Sequence, residues 1–462
     1  MTDLAVNRNS RISVILILQY LFVMLTEFFI LALQMERIDS NTTGIRIVQF
    51  VLQFLFLLFF FCIILNHDRK ISFVLILCFQ VFCSVSLWGF YYFIAHEPLG
   101  YDPNDALVYQ KALESSFGRG YSELIQALKA EPRTNSLSDF GYPTYRFLIY
   151  KIVPDLENGL LATVIINAVM HSISSLFVFK ISKRYLSYDL SIIVMALWGL
   201  SATSIHVNTC GLKETIFSFF TVMAVYNLVE IEYGHKGKRF LLFIVNLVFI
   251  WFFRNYISIF LFLTYLGCYP FRKLFYKFYP IFFIGIFLIA FLGMDILAKI
   301  LPELRFVKIM RDKRMMESFG STGFIPSCMN FFFAWITPIP KINATAQIKQ
   351  LLFSGFSIYK AFFSLFCVYS LVLIIKNRIE RFYPIITFMA CNTVLVIITC
   401  NSLDFRFLHP SVFIDLILMV SGFEEIENSG LELKFVNKKF QGFVIIIFIF
   451  LFIYLLMLFY NK

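Results

Sequence analysis

Uninterrupted apolar runs of about 20 residues recur along the chain, and they constrain its fold more than any motif does. In IRIVQFVLQFLFLLFFFCIIL, residues 45–65, Arg46 is the only charge. A segment of this kind in lipid must satisfy its backbone N–H and C=O groups internally, which leaves α-helices or closed barrels. A barrel would alternate polar and apolar residues over about ten-residue segments, whereas these runs are continuous. The expected fold class is therefore all-α, a polytopic membrane protein. A chain with 59% hydrophobic residues, 60 Phe and 15% charged residues excludes a water-soluble domain.

A short polar head with Arg8 and Arg11 precedes an apolar span at about 12–34, which lacks a small-residue cleavage site and reads as an uncleaved first helix. Further spans are expected near 45–66, 71–95, 159–181, 189–207, 214–232, 239–253, 256–270, 279–300, 351–375, 383–400, 408–422 and 442–460. That makes about 13 transmembrane helices in a single integral membrane domain over residues 1–462. Two long loops, 96–158 and 299–350, interrupt them, and the spans on either side of Arg254 and Asn255 read as a tight hairpin.

Lys and Arg set the orientation. With the N-terminus inside, nineteen basic residues fall in the inside segments, and KISKR, HKGKR, FRKLFYK and KNRIER look like membrane anchors. The short outside connections hold five, Arg37, Arg46, Lys213, Arg254 and Arg406, while the two long outside loops carry fourteen more. The net charge of +11 follows from this topology and does not point to nucleic acid. Nine Cys are scattered without a CxxC pair or a Cys/His cluster, so neither a zinc site nor a disulfide framework is indicated.

The same topology brings distant polar residues to one external side. In the acidic loop 96–158, Asp102 and Asp105 lie three apart in YDPNDALVY, Tyr109 follows one helical turn later, and DFGYP with Asp139 and Tyr142 closes the polar stretch. The plainer alternative is a hydrated loop with Asp105 as the N-cap of a helix. In NTCGLKETIF, Lys213 and Glu214 stand where a helix enters the membrane, and Glu214 in a first turn favours the helix dipole. Arg254, in IWFFRNYISIF, must face a polar cavity, a headgroup or an acid, and a planar guanidinium suits phosphate. Asp404, Arg406 and His409 crowd one turn in SLDFRFLHP, as a structural pair or an anion site. Arg305, Lys308, Arg311 and Arg314, at spacings of three, make one basic face on a helix, and FFFAWITPIPK reads as an interfacial or re-entrant segment. For each lone cation the alternative is a side chain snorkeling at the interface.

The acidic external loop with YDPND and DFGYP, the Leu-Lys-Glu at a later external helix start and the Arg-containing external turn near the C-terminus together resemble the bacterial membrane glycosyltransferases of the C-type superfamily. The likeness extends to the O-antigen and capsule repeat-unit polymerases and covers the layout from about 71 to 422. It implies a GT-C-like fold and a polyprenyl-(pyro)phosphate-linked glycan as partner, in a multi-pass protein of the bacterial inner membrane whose active face is external. Asp102 or Asp105 would be the catalytic base, and Lys213, Arg254 and Arg406 would hold the donor phosphate. Tyr109, Asp139, Tyr142, Glu214, Arg305, Arg311, Asp404 and His409 complete the candidate substrate-binding set. No cofactor is implied, a divalent metal being an optional addition, and other polysaccharide-assembly proteins are candidate partners. The chain departs from the pattern in placing the acidic loop after the third span rather than the first. Two rivals are a transporter or flippase for lipid-linked oligosaccharide, with Glu27, His171 and Asp415 as mid-span polar groups, and a non-catalytic assembly scaffold.

Overall fold

A computed structural model describes residues 40–100, 104–131, 140–233, 236–300, 305–336, 354–401 and 405–428. All regular structure among these residues is helical. The expected spans at 12–34 and 442–460, and the residues Asp102, Asp139, Asp404 and Glu27, lie outside them. The chain divides into two compact units, the first formed by Phe50–Arg184 and Ser191–Pro270, the second by Met1–Gln49, Tyr185–Leu190 and Phe271–Lys462.

The first unit begins at Phe50, within α1 (Ser40–Asn66), and continues in α2 (Arg69–Gly89), which ends in a π-helical turn over Phe90–Ile94. Asp68 starts α2, its carboxylate accepting from Lys70 N at 2.6 Å and Ile71 N at 3.1 Å. These bonds hold its pKa below the ordinary value. Three short helices then occupy the acidic segment: α3 (Asn104–Ser116), α4 (Tyr121–Ala130) and α5 (Gly141–Ile152). Because α3 begins at Asn104, Asp105 sits in its first turn rather than capping it.

Beyond these, α6 (Leu156–Ser182) packs on α2, and the span expected at 189–207 is present as two helices, α7 (Tyr188–Gly199) and α8 (Ala202–Thr209). Every residue from Ser191 to Leu200 is buried, the mark of a helix surrounded by others. The break is held open by a residue from another helix. Gln80 Nε2 donates to Gly199 O at 2.7 Å and reaches Ser201 O at 3.5 Å, satisfying carbonyls that the interruption frees. The unit closes with α9 (Glu214–Tyr233), α10 (Lys236–Phe253) and α11 (Asn255–Cys268). Arg254 is the single non-helical residue between the last two, so the expected hairpin is present.

In the second unit, α12 (Arg272–Lys277) leads into α13 (Tyr279–Ile300), followed by α14 (Arg305–Phe319), α15 (Phe324–Ile336), α16 (Ser354–Lys376), α17 (Tyr383–Ile398), α18 (Phe405–Leu408) and α19 (Val412–Asn428). Tyr279 and Tyr383 stack at 3.7 Å between ring centroids where α13 meets α17. A Cβ on Gly422 would lie 2.4 Å from Phe366 O, so glycine is what lets α19 approach α16.

Five helical stretches are long and apolar enough to cross a membrane: Arg69–Ile94, Leu156–Ser182, Tyr188–Thr209, Glu214–Tyr233 and Glu380–Ile398. They coincide with five of the expected spans. Large apolar side chains also face outward in rows; on α10, Leu241, Val245, Val248 and Phe252 are exposed at three- and four-residue spacing. An apolar stripe of this kind suits lipid rather than water.

Candidate functional site

The first unit gathers side chains from five segments into one buried cluster. On α5 the residues Tyr142, Arg146, Ile149 and Tyr150 share a face by their spacing of three and four, and all are buried. This face is deep because Gly159 has no side chain: a Cβ there would lie 2.0 Å from the Tyr150 ring. Gly141 likewise lets the start of α5 sit against α10, since a Cβ on it would lie 2.4 Å from Phe252 O. Tyr109 of α3 packs against Tyr142 at 5.8 Å between centroids, and Phe217 and Phe253 complete the same core cluster.

Glu214 opens α9 with 1% of its surface exposed, and its Oε1 accepts from Arg254 Nη2 at 2.7 Å. Arg254 also donates from Nη1 to the Tyr256 hydroxyl at 2.6 Å, and its guanidinium lies 5.1 Å from the centre of the Phe217 ring. The sequence left Arg254 a choice between headgroup, cavity and acid. It is buried and paired with Glu214, 40 positions away, so it is not a snorkeling anchor. Lys213, next in the chain, is half-buried.

Arg146 is the residue that sequence reasoning missed. Its side chain is fully buried, and among the described residues its hydrogen-bond partners are uncharged. Nη2 donates to Gln110 Oε1 at 2.5 Å and to the Tyr150 hydroxyl at 2.6 Å, while Nε and Nη1 have no hydrogen-bond partner among the described residues. Gln110 in turn donates from Nε2 to Glu114 at 2.9 Å. A signal was available: Tyr142, Arg146 and Tyr150 recur at four-residue spacing, which puts one cation in the middle of an aromatic helix face.

Burial pushes the phenol of Tyr142 up to about 12, against the opposing pull of Arg146, and raises that of Tyr145 as well. Both are therefore neutral donors at ordinary pH. The Tyr145 hydroxyl donates to Asn167 Oδ1 at 3.0 Å, and from there amide contacts run to the helix break. Asn167 Nδ2 reaches Asn208 O at 3.4 Å, Asn208 donates to Gln80 Oε1 at 3.1 Å, and Thr215 donates to Asn208 Oδ1 at 2.6 Å. The ring faces of Tyr109 and Tyr142 are covered by protein, with 3% and 0% exposure, which closes them as platforms for a sugar ring in this state. Asp105 is exposed.

The remaining candidates belong to the second unit. Arg311 is buried and donates from Nη2 to Ser327 Oγ at 3.1 Å, and Arg314 donates to Thr399 O at 3.0 Å. The basic face expected from Arg305 to Arg314 is thus partly turned inward, because α15 and the end of α17 supply acceptors for two of its guanidiniums. His409 is buried in the turn before α19, and Arg406 is half-exposed. Of the mid-span polar groups, His171 is buried against Trp198 O at 3.0 Å, and Asp415 sits in the first turn of α19. Among the described residues no group of three or more His, Cys, Asp or Glu is placed to hold a metal ion. No protein-family model, curated protein or solved structure matches the chain.

Proposed function

We propose that the protein is a membrane glycosyltransferase that takes a polyprenyl-(pyro)phosphate-linked sugar or oligosaccharide as donor on the external face and polymerises surface polysaccharide repeat units. The observation that carries the reading is the convergence of α3, α5, Glu214 and Arg254, four parts of the chain singled out by the sequence, on one cluster that holds a buried cation. The finer topology belongs to this proposal: about 13 spans, with 96–158 and 299–350 outside.

A sugar hydroxyl is a weak nucleophile near neutral pH, so a carboxylate must take its proton as the carrier phosphate leaves. Asp102 or Asp105 fills that role, and guanidinium groups stabilise the departing charge. Arg254 acts together with Glu214, so its contribution is to fix the hairpin and share its charge rather than to present a free fork. One observation favours the transporter as a second reading: α7 and α8 form a broken helix whose interruption is lined by Gln80 and Asn208, a device that transporters use to build sites.

The two readings part in cells lacking the protein. A polymerase leaves single lipid-linked repeat units accumulated in the outer leaflet, accessible to a membrane-impermeant glycosidase. Repeat units trapped in the inner leaflet would overturn the polymerase reading in favour of transport.

A further inference from the structure

We infer that Arg146 is the cation of an oxyanion-binding site, one that takes a phosphate or carboxylate group where α5 faces the turn Cys210–Lys213. The inference rests on the glycosyltransferase reading only for the source of the anion, a carrier phosphate or the carboxylate of an acidic sugar; the site itself stands on geometry.

A guanidinium has five N–H donors, and one buried for structure alone is expected to have them satisfied. Arg146 is fully buried, yet among the described residues only one of its three nitrogens finds an acceptor. Its two acceptors, the Gln110 carbonyl and the Tyr150 hydroxyl, are uncharged. The buried acid of the cluster, Glu214, is committed to Arg254 at 2.7 Å. Tyr142 cannot compensate as a phenolate, because burial keeps it protonated. A buried cation left in this condition is unfavourable unless a further anion completes it.

The surroundings of Nη1 are also defined. Nη1 lies 3.5 Å from where a Cβ on Gly211 would stand, with Leu99 and Ala106 as the other neighbours of that point. Gly211 has φ +65°, a left-handed conformation that glycine adopts without strain, and it keeps side-chain atoms away from the guanidinium. An oxyanion beside Nη1 would meet a guanidinium backed by the Tyr150 ring, 5.5 Å from its centre.

The test uses purified full-length protein in detergent, with sodium pyrophosphate and sodium glucuronate as probes and sodium chloride at matched ionic strength as control. The thermal midpoint of the wild type is expected to rise by several degrees with a binding probe. In Arg146→Met that rise disappears, and the ligand-free midpoint is equal to or above the wild type, since an uncompensated buried charge has been replaced by an apolar chain of similar length. Arg146→Lys keeps a charge without the planar donor set and is expected to need about tenfold more probe. A response to pyrophosphate alone identifies the carrier phosphate, to glucuronate alone the acidic sugar, and to both a general oxyanion site. No response in the wild type, an equal response in Arg146→Met, or a ligand-free Arg146→Met that is clearly less stable with Arg146→Lys binding normally, would each overturn the inference. A wild type that binds the probe without polymerising glycan would leave the site standing and remove the glycosyltransferase reading.

Discussion

Arg254→Ala is expected to cost about 3–5 kcal/mol of stability, because it strands a buried carboxylate. The Glu214 side chain is 2% exposed and that of Arg254 9%. Glu214 Oε2 already has no hydrogen-bond partner among the described residues, so the alanine variant leaves the acid with little beyond the α9 dipole. That dipole offers about 0.3–1 kcal/mol, up to about 2 in a buried setting, and does not make good the loss. The double variant Glu214→Gln with Arg254→Met removes both charges and should regain most of the stability. Arg254→Lys should fall between, keeping the charge but losing the bond to Tyr256 and the planar contact with Phe217. Chemical unfolding of the four proteins in detergent gives the comparison. If Arg254→Ala unfolds at the wild-type denaturant concentration, the pair does not hold the hairpin.

The second large effect is on activity. Asp102→Asn and Asp105→Asn preserve shape and remove a base, so the one that serves catalysis should lower polymer formation by about 10²–10⁴-fold. Protein level should stay unchanged, since the amide keeps the size of the carboxylate and Asp105 is exposed in the first turn of α3. The readout is the length and amount of surface polymer in cells carrying each variant in place of the wild type. Normal polymer from both removes the acidic loop from the mechanism.

The parts of this fold legible in the sequence are those decided locally. Helical spans such as 159–181 and 214–232 follow from the need of a backbone in lipid to bond within itself, and the hairpin at Arg254 follows from two apolar runs meeting at one charged residue. What the sequence hides is decided across distance. The break between α7 and α8 has no proline to announce it and depends on Gln80, 119 positions before Gly199. Glu214 and Arg254 each stood out alone, but their pairing needed α9 and α10 to be laid side by side. Spacing of three put Arg311 and Arg314 on one helix face, yet whether that face meets water or protein depended on Ser327 and Thr399. Arg146 carried a readable pattern with its two tyrosines, hidden by its position in a segment that looked like an exposed loop.

The central claim is that this chain itself transfers a glycan from a polyprenyl carrier, and the direct measurement is carrier release by the purified protein. Wild type reconstituted in lipid nanodiscs with a polyprenyl-pyrophosphate-linked repeat unit is predicted to release polyprenyl pyrophosphate and lengthen the glycan. The Asp102→Asn, Asp105→Asn double variant, equally folded by its thermal midpoint, is predicted to do neither. Release that is absent from the wild type, or equal in the two proteins, would contradict the account.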